Sequence, residues 1–172
     1  AVSTGLENAL DALSEAEVWK QDFSALKADA ASQWYAILAR VKVSGAPQVE
    51  PLFYTSLYRV FHSPFKVTDD KMDTYLGTDG KVHKAQGSDY YSSWSLWDTY
   101  RTKFPLITLF QPGRSQAIMA SLAQLYTTGK EDWSTPHECV PTVRTEHAIA
   151  TLLDAYRKKV VTKEVLQKAY PG

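Results

Sequence analysis

Val49-Glu-Pro-Leu-Phe-Tyr-Thr-Ser-Leu-Tyr-Arg-Val-Phe61 decides the class of fold. Val49, Phe53, Leu57, Val60 and Phe61 recur at helical spacing and share one side, which is expected to be buried. His62-Ser63-Pro64 stops this helix, because the residue before a proline avoids the helical region of backbone space. Working outward to the N-terminal side, Gly45-Ala-Pro47 forms a turn whose proline suits the first residue of the helix that follows. Before the turn, Phe23, Leu26, Ala30, Trp34, Ile37 and Val41 make a second helical stripe, with Asp22 standing where an N-cap belongs. Leu6, Ala9, Leu10 and Leu13 make another. Three helices therefore account for roughly the first sixty residues.

Working outward to the C-terminal side, the helical pattern breaks from Phe65 to Ser88. Thr78-Asp79-Gly80-Lys81 carries the turn chemistry of a tight hairpin between Tyr75-Leu76 and Val82-His83. Connections of this length within a compact domain tend to be functional, so the loop is read as the rim of a binding site. Helical spacing resumes with Tyr91, Trp94, Trp97 and Tyr100, pauses at Pro105, and continues through Ile107, Leu109 and Phe110 until Pro112-Gly113. A helix from about Ser115 to Tyr126 buries Ile118, Leu122 and Leu125. A second irregular stretch runs from Thr127 through Trp133, Pro136, His137, Glu138 and Pro141. The last long helix covers about Val143 to Lys159, with Ile149, Leu152, Leu153 and Tyr156 on one face, and Thr162 to Tyr170 is a short terminal helix. The fold class is all-α, with paired antiparallel helices and two long irregular loops. Loops of that length fit a toroid or solenoid better than a four-helix bundle.

Composition excludes several classes of function. Among 172 residues, 19 Lys+Arg balance 19 Asp+Glu, which argues against a nucleic-acid partner. No run approaches the roughly eighteen apolar residues of a membrane span, and no charged-then-apolar leader opens the chain, so neither a membrane partner nor an intact signal peptide is expected. The single cysteine, Cys139, excludes an intrachain disulfide and a cysteine-based zinc site. Asp69-Asp70 and Asp73 do not match the spacing of an EF-hand and read as a solvated acidic turn. Five Trp, ten Tyr and six Phe are an aromatic-rich inventory for this length.

Ser88-Asp-Tyr-Tyr-Ser-Ser-Trp-Ser-Leu-Trp-Asp-Thr-Tyr-Arg101 gathers the strongest candidates, because helical spacing sets Trp94, Trp97, Asp98 and Arg101 within two turns. An indole face stacks on the C–H surface of a pyranose, a carboxylate accepts hydrogen bonds from adjacent hydroxyls, and an arginine holds that carboxylate in place. The same spacing also fits plain core packing with an ordinary i, i+3 surface pair, and composition leaves the choice open. His83 is read as a surface residue and His137 as a sugar contact.

Phe53-Tyr-Thr-Ser-Leu-Tyr58, Ser95-Leu-Trp-Asp-Thr-Tyr-Arg101, Phe104-Pro-Leu-Ile-Thr-Leu109 and Gln111-Pro112 resemble, in this order and spacing, the catalytic domain of family 92 glycoside hydrolases, the calcium-dependent exo-acting α-mannosidases. Weaker likeness extends from the helix around Trp34 to Ala148 and to Asp154-Ala-Tyr156. The resemblance implies part of an (α/α)6 toroid, with residues 1–172 forming a single helical domain similar to the N-terminal half of that catalytic domain. It implies hydrolysis of α-linked mannose with inversion, which needs an acid to protonate the leaving oxygen and an opposed base to activate water.

The family's acid falls between the counterparts of Trp133 and His147, which makes Glu138 the catalytic candidate. Placement from those two anchors sets Glu138 one position early, and Glu146 is its rival. Val143 stands where methionine is usual, and Thr145-Glu146 replaces a glycine. Trp97, Asp98, Arg101 and His147 are the expected substrate-binding residues. No metal ligand is assigned, since calcium is expected in the complete enzyme with ligands largely outside this chain. The expected partners are a mannose-containing glycan and the remainder of the catalytic domain, and the expected location is secreted or periplasmic. The isolated chain is expected to be inactive, having one carboxylate without its opposed base. Two other readings remain: a non-catalytic carbohydrate-binding or regulatory module derived from such an enzyme, or a helical interaction domain whose aromatics are only core.

Overall fold

The computed structural model describes residues 5–7, 9–10, 22–69, 73–77, 79–128 and 147–170. The chain divides into two compact units, Gly5–His62 and Ser63–Gly172.

In the first unit, helices α1 (Phe23–Leu38) and α2 (Val49–Val60) pair as a hairpin. Aromatic rings make the seam. Trp34 packs on Tyr58 at 4.3 Å between centroids, and Tyr58 meets the His62 ring edge-on at 4.3 Å. The Tyr54 hydroxyl donates to the Val41 carbonyl at 2.9 Å and ties α2 to the turn before it. The expected stripe on α1 is not buried: no residue of that helix is, and Phe23 and Tyr35 are about three-quarters exposed. On α2 only Leu57 is buried, together with Phe61 just beyond the helix, while Val49 is exposed. A pair of helices offers each stripe one seam, and the apolar residues off that seam need a further layer to cover them.

The second unit holds two small antiparallel ribbons and five helices among the described residues. Strand β1 (Phe65–Lys66) pairs with β4 (Tyr91–Ser92), Phe65 opposite Ser92. Strand β2 (Thr74–Leu76) pairs with β3 (Val82–Lys84), Tyr75 opposite His83 and Leu76 opposite Val82. This is the hairpin that the Asp79-Gly80 turn predicts. Gly80 takes φ +71, a left-handed conformation that glycine adopts without steric cost, and the Gly77 N–H donates to the Lys81 carbonyl at 2.8 Å. Val67, Tyr75, Ala85 and Tyr90 form a buried cluster beneath it.

Helices α3 (Leu96–Thr99), α4 (Lys103–Phe110), α5 (Pro112–Thr128), α6 (His147–Arg157) and α7 (Lys163–Ala169) complete the unit. Helix α5 is the hub, packing against α4, α6, α7 and β4. Ile118, Leu122 and Leu125 are buried as expected, alongside Trp94, Leu96, Phe104 and Ile107. Pro112 opens α5 rather than closing the helix before it. A proline at the first helical position gives up an N–H that would have no intrahelical partner there.

Two expectations are corrected. The aromatic series from Tyr91 to Tyr100 is not one helix, because Tyr91–Ser92 is strand and Ser93 and Ser95 both take positive φ before α3 begins. On α6 the buried face is Ala148, Thr151, Leu152 and Ala155, and Ile149, Leu153 and Tyr156 remain exposed. Small residues let α6 approach α4 and α5 closely on that face, which turns the larger apolar side chains outward.

Candidate functional site

The two left-handed serines decide which tryptophan faces where. Ser93 (φ +70) and Ser95 (φ +39) bend the chain on either side of Trp94, sending that indole fully into the core. Upstream of the bend, the Tyr91 N–H donates to Ser121 Oγ on α5 at 3.1 Å and fixes β4 to the hub helix. Downstream, Leu96 is buried and the single turn of α3 presents the opposite side to solvent, leaving Trp97 half exposed. Trp94 therefore leaves the set that helical spacing grouped with Trp97, Asp98 and Arg101.

On the exposed side, Arg101 Nη2 donates to Asp98 Oδ1 at 2.6 Å, with the two side chains 62% and 69% exposed. An ion pair this open contributes only about 0.2–1 kcal/mol to stability, so fold maintenance gives little reason for it. The Arg101 guanidinium also lies 5.4 Å from the centroid of the Tyr100 ring. The other partner of Tyr100 is His147, the first residue of α6, stacked at 4.1 Å and 29°. Asp98, Arg101 and His147 are thus joined through Tyr100, and Trp97 lies on the same short helix as Asp98. Sequence reasoning placed Tyr100 on a helix stripe and missed this bridge; the contact comes from α6, nearly fifty residues on, and no local pattern signals it. Glu138, together with Glu146, His137 and Trp133, lies outside the described residues.

The hairpin carries a second polar group. His83 Nε2–H donates to both oxygens of Asp79 at 2.9 and 3.1 Å, and the Lys81 N–H donates to Asp79 Oδ1 at 3.1 Å. The His83 bond, with the backbone bond second, holds the Asp79 carboxyl below the usual carboxylate range. His83, expected only as a surface residue, also stacks on Tyr75, which in turn stacks on Tyr90 at 3.9 Å and 8°. Burial raises the phenols of both tyrosines, and the nearby Asp79 charge adds to it. Among the described residues no three His, Cys, Asp or Glu side chains are gathered as a metal site would need. No described helix is long and apolar enough to cross a membrane.

Comparison with known proteins places these features in a family. The model of the glycosyl hydrolase family 92 catalytic domain matches residues 8–171. Among solved structures, the GH92 family glycosyl hydrolase CcMan5 is 33% identical over 96% of this chain, with a TM-score of 0.79. The GH92 inverting mannosidase BT2199 from Bacteroides thetaiotaomicron VPI-5482 is 26% identical over 96%, with a TM-score of 0.78. The GH92 α-mannosidase BT3965 from Bacteroides thetaiotaomicron, solved with mannoimidazole, shares the fold at 24% identity and a TM-score of 0.81 over 98%. This chain spans 23% of the length of each. The comparison with curated proteins gives no match. With its helices, its Trp97–Arg101 turn and nearly its whole length accounted for by one family model, the chain belongs to glycosyl hydrolase family 92, as part of the catalytic domain.

Proposed function

We propose that this chain forms one wall of the sugar pocket in an inverting exo-α-mannosidase, with Trp97, Asp98, Arg101 and His147 holding the mannose unit of a glycan. The observation that supports the reading is the contact of α3 with the start of α6 through Tyr100, which links Asp98 and Arg101 to His147. The half-exposed Trp97 indole offers a face to the C–H side of a pyranose. Asp98 accepts hydrogen bonds from adjacent hydroxyls while Arg101 holds the carboxylate in place. The His147 ring, held flat against Tyr100, keeps its nitrogens at the edge, where a hydroxyl can reach them.

In this reading Glu138, or Glu146 in its place, gives a proton to the leaving oxygen. The base that activates water on the opposite face belongs to the rest of a longer catalytic domain, so residues 1–172 alone release no mannose. The 23% coverage of the solved relatives supports that division. So does a groove of about 390 Å³ on α6 and α7, lined by Tyr126, Ile149, Leu152, Leu153, Leu166 and Tyr170, whose apolar surface suits further helices of the toroid. Calcium enters the same proposal through the family alone. The described residues offer no site for it, and no step here runs through it. The location outside the cytoplasm is likewise proposed from the family.

The test is binding of methyl α-D-mannoside by the purified chain together with assay of mannose release. Saturable binding that Asp98→Ala abolishes, with no release, supports the proposal. Release of mannose by the chain alone contradicts the division of the catalytic pair, and binding indifferent to Asp98→Ala contradicts the site.

A further inference from the structure

A cavity of about 290 Å³ opens beside the β2–β3 hairpin, between the Ser88–Tyr90 segment, α5 and α7. It shares no residue with the Trp97 cluster, and the loop that forms its rim is the one whose length marks it as functional in the sequence. The stacked rings of Tyr75 and Tyr90 close one side. Both are buried, their faces taken up by each other, and one face of His83 rests on Tyr75, so the ring stack leaves little open aromatic surface for a pyranose to lie on. The remaining lining is polar, and its hydrogen-bonding state can be followed group by group.

Ser121 Oγ is occupied, donating to the Ala117 carbonyl and accepting the Tyr91 N–H. Asp89 is the lining carboxylate, and its Oδ1 stands 3.1 Å from Lys66 Nζ, which offsets its charge. His83 is engaged with Asp79. Lys84 and Lys168 are left. They reach the cavity from β3 and α7, and among the described residues neither forms a salt bridge. Gln86 and Ser88 add short-range hydrogen-bonding groups, as does Gln124, whose Nε2 also donates to Thr127 Oγ1 at 2.8 Å. Two ammonium groups outside any salt bridge outnumber Asp79, the carboxylate whose charge reaches the lining tyrosines, so the concave polar surface favours anions, and each ammonium brings three donors to an oxyanion.

We infer that this cavity binds a small oxyanion-bearing ligand, a molecule of hexose size or less carrying a carboxylate, sulfate or phosphate, with Lys84 and Lys168 as the charged contacts. A neutral sugar gains little here, because it leaves both ammonium groups uncompensated and finds little aromatic face on which to stack.

The test titrates the purified chain with D-glucuronate and with inorganic phosphate, using D-mannose as the neutral reference, and follows the amide shifts of the lining residues Gln86, Ser88 and Gln124. The expected result is saturable binding of an anion that weakens as sodium chloride is raised. Affinity falls a few-fold in Lys84→Gln or Lys168→Gln and about tenfold in the double variant. Both lysines are exposed, so urea unfolding of the variants stays at the wild-type midpoint. Glucuronate bound more tightly than phosphate identifies an acidic sugar, and equal affinity identifies the oxyanion alone. Absence of saturable binding by either anion up to about 10 mM, binding unchanged in the double variant, or mannose shifting the Gln86, Ser88 and Gln124 amides as much as glucuronate does would each overturn the assignment.

Discussion

Gly77→Ala tests whether the Asp79–His83 pair is the device that organises the hairpin. A Cβ at position 77 would stand 2.7 Å from Asp79 Oδ1 and 2.8 and 2.9 Å from Cδ2 and Nε2 of His83, well inside van der Waals contact. Gly77 does not adopt a positive φ, so alanine strains no backbone there, and what must move is the pair of side chains. Losing an exposed side-chain hydrogen bond of this kind costs about 0.5–1.5 kcal/mol. Restricting the unfolded chain by replacing glycine returns about 0.4–1 kcal/mol. The two nearly cancel, and unfolding at pH 7 alone is therefore expected to change little.

The informative quantity is the dependence on pH. Asp79 is held below the usual carboxylate range chiefly by His83. A carboxyl lowered in the folded state contributes its full stabilisation above the unfolded value, near pH 4, and loses it as pH falls through the folded value. In Gly77→Ala, Asp79 should titrate nearer the ordinary range in a carboxyl-carbon NMR titration, and stability measured by urea should fall less between pH 5 and pH 3 than in the parent. An Asp79 that still titrates low in the variant would refute the reasoning. So would a loss above about 2 kcal/mol at pH 7, which would mean that the backbone had moved.

Three further outcomes follow from the packing. Leu122→Ala removes a fully buried side chain from the hub helix and should cost about 2–5 kcal/mol by urea unfolding; less than about 1 kcal/mol would deny α5 its central place. Lys159 is left-handed (φ +61) at the end of α6, where the Val160 N–H donates to the Ala155 carbonyl and the Lys159 N–H to the Tyr156 carbonyl, a Schellman closure that prefers glycine. Lys159→Gly should raise stability by up to about 1 kcal/mol, and a loss would contradict that geometry. Trp94→Ala should cost about 3–5 kcal/mol and Trp97→Ala about 1 kcal/mol or less; similar losses would mean that both indoles are core.

Local rules carried far where a few neighbouring residues decide the conformation. The Asp79-Gly80 turn placed β2 opposite β3, and the period of Ile118, Leu122 and Leu125 placed the buried face of α5. They failed where the deciding partner is distant. Tyr91, Trp94 and Trp97 keep helical spacing, yet pairing of β4 with β1 and the two left-handed serines override it and separate the tryptophans. The face of α6 was read from its large apolar residues, whereas close approach to α4 and α5 favours Ala148, Thr151 and Ala155. At the candidate site, Asp98 and Arg101 were legible as neighbours at i, i+3. Tyr100 was not, because its role depends on the His147 ring arriving from another helix. The hairpin cavity was legible only as a loop too long to be a plain connection, since its two lysines come from opposite ends of the unit.

The central claim is that Trp97, Asp98, Arg101 and His147 form one sugar-binding surface, and its most direct test is an NMR titration of the chain with methyl α-D-mannoside. Saturable shifts at the Trp97 indole N–H, the His147 ring and the Arg101 side chain, with a single affinity and a silent Trp94 indole, are the predicted result. Shifts confined to other parts of the molecule, or none at a concentration of about 50 mM, would contradict it.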